Sequence, residues 1–324
     1  MVKANVSYCK IPVKLLIKYS KAFPFDIFIR LSIDKIIKIT KENDEITDIL
    51  IKYEAKGIKE VYVNKNDFTF FVKTLKEGFT TKFFSSDKPK SVDETLELLE
   101  HGHSIVSEGF SKLGVDELVV EMAKEVTRQS MNLMKKVPNI LEFYTQYKEK
   151  CAPAFMRGML VGYTTSAMIE HFTWQSSVVK QKAVLAAQLC DISLNLEEYQ
   201  ELLMWEKGEV TTREISPAVF NHPLIVAEML TTESAGLNLI APEVINIIKQ
   251  HHERPDGSGF PKGFTHTKIT LLAAINIVAA SFIELMIINN FNINKKDRIL
   301  NQIQVKYNKG NFKKACESLL AMFR

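Results

Sequence analysis

The chain has 324 residues, 46% of them apolar, and its 42 basic and 38 acidic side chains give a formal net charge of +4. That length accommodates two domains with ordinary cores, and a mild, interspersed charge argues against a nucleic-acid polymer as partner. The four cysteines, Cys9, Cys151, Cys190 and Cys316, lie far apart with no CxxC pair, which argues against a disulfide framework or zinc knuckle and fits a reducing cytoplasm.

Lys10, Lys14 and Lys18 interrupt the early apolar residues, so no secretory signal is expected. Residues 1–85 read as a small α/β regulatory or sensory module. Within it, Ile27–Leu31 and Ile36–Thr40 are expected strands on either side of a Ser-Ile-Asp-Lys turn. Residues 45–56 have helical spacing and stop at Gly57. Glu60–Val63 is a further expected strand, and Asn66–Phe79 returns to helical periodicity. Residues 86–138 read as a helical linker. It opens in the polar stretch around Pro89, where Ser91 and Glu94 have the spacing of a capping box. A dimerisation stalk, and with it a homodimer, is the alternative reading of these helices.

Residues 139–324 are helical in pattern almost throughout, which makes the whole chain α+β. Proline at the first helical position marks helix starts at Ser216-Pro217 and Ala241-Pro242. Leu271–Ile288 is apolar for long enough to raise the question of a membrane span. Asn276, Ser281 and Glu284 fall inside it, however, and no aromatic anchors flank it. A buried helix, with no membrane association, is therefore expected.

The most informative segment runs from His251 to Pro261, HHERPDGSGFP. Pro255 disfavours helical geometry at Arg254, so the helix opened by Pro242 should end near Glu253, with His251 and His252 in its last turn. Asp256-Gly257 and Gly259 then make a tight turn. Adjacent imidazoles at a helix end can converge on a metal or a phosphate; an incidental surface pair is the alternative.

As a string, these residues resemble the signature of the HD-GYP family, metal-dependent phosphodiesterases that hydrolyse the bacterial second messenger cyclic di-GMP. Glu253, Arg254, Asp256, Gly257, Gly259, Phe260 and Pro261 form the motif loop, with Phe260 where the family has Tyr. The resemblance covers roughly residues 139–324 and implies an all-helical HD-type domain with its site in a cleft between helices. The family's Leu-His-Asp-Ile-Gly-Lys run corresponds to Leu189–Leu194. Cys190 stands for the His, Asp191 matches the Asp, and Ser193 and Leu194 replace the Gly-Lys. His222-Pro223 and His251-His252 match a family His-Pro and His-His. A late aspartate ligand falls on Ala280, and an acidic residue three places on falls on Ile283. An early Glu and His align with Lys150 and Ala154, which puts Arg157 on a family arginine; Glu170 and His171 lie too close to Asp191 to fill that role.

The resemblance thus implies that the ligands of one metal, Asp191, His222, His251 and His252, are kept. Those of a second appear as Ala154, Cys190 and Ala280. One divalent ion, Fe, Mn or Zn, is expected. Cys190 is a candidate extra ligand that would favour zinc, although packing on an apolar helix is its plainer role. Arg157 and Lys262 are candidate phosphate or nucleotide contacts, and Asp191 is the catalytic candidate if hydrolysis occurs. Three functions follow. The first is an impaired HD-GYP protein that binds cyclic di-GMP or a signalling partner. The second is an active phosphodiesterase or related phosphohydrolase with one metal. The third is a scaffold whose metal is structural or absent.

Overall fold

The computed structural model describes residues 8–19, 25–32, 35–40, 45–85, 91–137, 139–231 and 239–323. Ile33-Asp34 of the expected turn, Pro89 and Pro138 lie outside them. The chain divides into two compact units, Met1–Val126 and Thr127–Arg324.

In the first unit, β1 (Tyr8–Pro12), β2 (Phe28–Ser32), β3 (Lys35–Lys38) and β4 (Glu60–Asn64) form one sheet in the order β1-β4-β2-β3. Its pairings are antiparallel. The helices are α1 (Val13–Tyr19), α2 (Ile46–Glu54), α3 (Lys65–Ser85), α4 (Val92–Leu113) and the start of α5 (Glu117–Met134). β1 was not expected. It alternates buried Cys9 and Ile11 with exposed Lys10, the period of a half-buried strand, and pairs with β4 from Tyr8↔Asn64 to Pro12↔Glu60. The capping box at Ser91 is formed, with Glu94 N–H donating to Ser91 Oγ and Ser91 N–H to the Glu94 carboxylate, each at 3.1 Å. α4 packs on β1, where Lys10 N–H donates to the Glu108 carboxylate at 3.0 Å. α4 therefore belongs to the core of this unit, and the division between units falls inside α5 rather than at the ends of the expected linker.

In the second unit the order is α6 (Ile140–Tyr147), α7 (Pro153–Ile169), α8 (Ser177–Leu189), α9 (Leu196–Lys207), α10 (Pro217–Met229), α11 (Pro242–Gln250) and α12 (Leu271–Ile288). A 3-10 turn (Ile293–Lys295), α13 (Lys296–Lys306) and α14 (Gly310–Ala321) complete it. Small residues let α7 and α8 approach closely. A Cβ on Gly158 would meet the Ala187 carbonyl oxygen at 3.2 Å, and one on Gly162 would meet Val184 at 3.0 Å. α12 packs against α7, α11, α13 and α14. By length and composition it could cross a membrane, but 72% of it is buried in this unit, including Asn276, Ser281 and Glu284. α10 and α11 begin at the prolines that predicted them. α11 ends earlier than expected, at Gln250, so His251 is its C-cap and His252 lies in the turn beyond.

Candidate metal centre

Asp191 stands just past the end of α8, His222 lies inside α10, and His251 and His252 leave the end of α11. Their ligand atoms all lie within 4.8 Å of one another. Asp191 Oδ1 is 3.2 Å from His222 Nε2, 3.3 Å from His251 Nε2 and 3.8 Å from His252 Nε2.

The local sequence explains how two of these rings are aimed. A proline has no N–H to give to the carbonyl four residues back, so Pro223 leaves the Val219 carbonyl without its helical donor. His222 Nδ1 takes that place at 2.6 Å. The last carbonyls of a helix also lack intrahelical donors, and His251 Nδ1 lies 2.6 Å from the Ile248 carbonyl oxygen. At such distances to a carbonyl each Nδ1 carries the proton, which leaves a lone pair on each Nε2. The two Nε2 atoms are 3.1 Å apart. Two buried lone pairs facing one another and a carboxylate oxygen are unfavourable unless a cation lies among them. His252 is also buried, with neither ring nitrogen in a well-formed hydrogen bond. Three imidazoles and one carboxylate oxygen, oriented in this way, fit a divalent ion of the Fe, Mn or Zn type.

The charges agree with that reading. Burial alone would raise the Asp191 pKa, but Arg157 and the three histidines hold it well below the ordinary carboxylate range. Burial, reinforced by His252, pushes His251 down to about 3, and burial likewise lowers His222. Both rings therefore stay neutral, as metal ligands must be. His252 runs the other way: burial opposes its charge, yet Asp191 and Glu206 raise its pKa.

Around this cluster lies a buried ionic network. Arg157 Nη1 donates to Asp191 Oδ2 at 2.7 Å, while its Nε, at 3.1 Å, and Nη2 both donate to Glu284. Glu206 lies 3.3 Å from His252 Nδ1 and accepts from Arg254 at 2.7 Å. Arg254 also reaches the Tyr307 hydroxyl at 3.2 Å and stacks over Trp205. Glu206 and Glu284 line the same small cavity. Burial and the Glu206 charge push Glu284 up to about 8, whereas Glu206, despite its burial, is kept ionised by Arg254.

The motif loop holds the two histidines from behind. The Glu253 carboxylate accepts the backbone N–H groups of Lys262 and Phe264 at 2.9 and 2.7 Å. Asp256 caps the turn through Ser258 N–H at 3.0 Å, and Gly257 adopts φ +83°. At Gly259 a Cβ would lie 2.3 Å from the His252 carbonyl oxygen and 2.5 Å from the Arg254 nitrogen, so only glycine fits. Phe260 is fully buried, donates its N–H to the His252 carbonyl at 3.1 Å and stacks on the His252 ring at a centroid distance of 4.8 Å. Pro261 follows it through a cis peptide bond.

The structure thus brings together Asp191, His222, His251 and His252. It does not add Cys190, whose thiol donates to the Ala187 carbonyl at 3.4 Å and whose pKa burial pushes well above its ordinary value. Arg157 was expected to contact phosphate. It is instead 3% exposed and paired with two carboxylates, Asp191 and Glu284. The Lys262 side chain is exposed. Lys150 lies over the ring of Tyr147. Ala154 and Leu194 pack on an apolar cluster that includes Tyr199, Trp205 and Phe260. Ala280 lines a small cavity with Glu206, Arg254, Ser281, Glu284 and Tyr307. Sequence reasoning missed the roles of Glu206 and Glu284. Glu284 carries a signal, since a lone carboxylate in an apolar helix needs a buried partner, but Glu206 sits among ordinary surface charges of α9.

A family model described as the HD domain matches residues 159–296. Comparison with curated proteins gives no match. Among solved structures, Bd1817, described as an HDG"Y"P protein from Bdellovibrio bacteriovorus, aligns over 98% of this chain and 99% of its own length, with a TM-score of 0.58 and 17% identity. That is a likeness of fold extending over the whole chain. The matched segment contains Asp191, His222, His251 and His252 together with the motif loop. Residues 159–296 thus match the HD domain, and in fold the chain is like a solved HDG"Y"P protein.

Proposed function

We propose that this chain is a catalytically impaired HD-GYP protein that holds one divalent ion and acts in cyclic di-GMP signalling by binding the nucleotide or a partner protein. The observation that carries this reading is the asymmetry of Asp191. Its Oδ1 faces three imidazoles, whereas its Oδ2 is taken by Arg157. Ala154, Cys190 and Ala280 contribute no further ligand beside it.

A bound divalent ion supplies a Lewis acid toward a phosphate oxygen and lowers the pKa of a coordinated water. The residues do the rest. Asp191 and the histidines fix the position of the charge, Glu206 orients His252, and the motif loop keeps His251 and His252 from turning away. A second ion or a free cation is normally needed to neutralise the charge that builds up during phosphodiester cleavage. Leu194, where the family has Lys, is apolar and packed, and Arg157 is already paired. A one-ion phosphohydrolase is the second reading, favoured by the complete set of three nitrogens and one oxygen. Calorimetry with cyclic di-GMP on protein loaded with Mn²⁺ or Fe²⁺, beside chromatography of the same mixtures, tests both. Binding without linear product is expected. Product that disappears in His251→Ala supports the second reading, and neither binding nor product leaves the chain a scaffold.

A further inference from the structure

We propose that the Arg157 guanidinium is a built-in cation that closes the far side of Asp191 and limits the centre to a single metal ion. This inference rests on the reading that an ion sits among Asp191 and the three histidines.

The argument is geometric. A carboxylate has two oxygens, and at Asp191 they face different partners. Oδ1 lies within 3.2–3.8 Å of three imidazole nitrogens. Oδ2 lies 2.7 Å from Arg157 Nη1. Asp191 can therefore offer a metal one oxygen on the imidazole side and none on the other. Beyond the guanidinium is a second carboxylate, Glu284, which accepts from two further nitrogens of the same group. Arg157 thus sits between two carboxylates in a buried space, the environment that otherwise binds a hard divalent cation through oxygen. Its charge is permanent and its planar fork matches two carboxylates at once. An ion approaching Oδ2 meets a fixed positive charge and finds no free oxygen.

Without that guanidinium, Asp191 Oδ2 and Glu284 would face each other across the space left by the side chain, with Glu206 lining the same small cavity as Glu284. Two or three carboxylate oxygens would then be free on the side of Asp191 opposite the histidines. Arg157→Ala should consequently create an oxygen-rich second site next to the first.

The test uses the full chain with Mn²⁺ alone as probe, which accepts both nitrogen and oxygen ligands. Metal per chain is counted by elemental analysis after removal of free ion, and the electron paramagnetic resonance spectrum reports whether the Mn²⁺ ions are isolated or spin-coupled. The native chain is expected to hold one ion with an isolated six-line signal. R157A should hold two, with a coupled signal, and R157A/E284A should return to one. Two ions in the native chain, or one in a folded R157A, overturns the inference while leaving the metal-centre reading intact. No ion in the native chain overturns both. R157N is the second variant if R157A does not fold, and it too should hold two. The native count stands as a test without either.

Discussion

At the scale of single residues, the histidines are candidate ligands because of what their other nitrogens do. Pro223 matters as much as the ring it follows, since the carbonyl it frees at Val219 is the one that aims His222. Pro223→Ala would restore a competing N–H to the helix. Its expected effect is a loss of metal affinity of up to about tenfold, the lower end of what lost orienting partners cost, measured by chelator competition with helicity unchanged. His222→Ala and His251→Ala should each abolish metal retention, whereas Cys190→Ala should keep most of it because the thiol is turned to Ala187; loss of metal in Cys190→Ala would contradict the ligand assignment. Gly259→Ala should cost about 3 kcal/mol or more, the range of strain at an over-determined backbone position, because its Cβ would collide with the backbone of three motif residues. Chemical denaturation reads it directly. The clustering of Asp191, His222, His251 and His252 was legible in the sequence through the family resemblance carried by the His251–Pro261 string. Arg157 was misjudged because an arginine near a metal motif looks like a phosphate contact until its partner Glu284, 127 positions away, is seen to occupy it.

At the scale of elements, the second unit is organised by α12, an apolar helix that carries one carboxylate into the interior. Glu284 stays mostly protonated at neutrality, its pKa pushed up to about 8 by burial and by Glu206. Between about pH 4.5 and 8 the folded chain therefore holds a proton at this site that the unfolded chain has released. Stability from this group accordingly falls as pH rises through that window. In metal-free protein, melting temperatures at pH 5, 6.5 and 8 should decline more steeply for the native chain than for Glu284→Gln; a native chain that gains on the variant over this range would reverse the assignment. Glu206→Ala should weaken metal binding about 10–100-fold through the loss of His252 orientation, read by the same chelator titration, and stability should fall with it because Arg254 is left buried without its carboxylate. Helix starts at Pro217 and Pro242 were legible because proline acts locally. β1 was not, because a five-residue strand that ends in Pro12 and carries Lys10 at its centre shows its alternation only once β4 lies beside it.

At the scale of the whole molecule, a small antiparallel sheet unit and a helical HD domain share one chain, and a solved HDG"Y"P structure follows the same fold over nearly its full length. The general architecture was legible because the sheet unit and the helical domain differ in hydrophobic period. The division inside α5 was not, since a helix that runs from one compact unit into the next has no break in its pattern to mark the boundary. The central claim is that this domain keeps a single-ion centre while having lost efficient phosphodiester cleavage. The most direct test is turnover of cyclic di-GMP by the purified chain in Mn²⁺ or Fe²⁺, with His251→Ala as control. The account predicts no linear product above that control, in protein that retains its fold and its ion. Linear product that depends on His251 would contradict it.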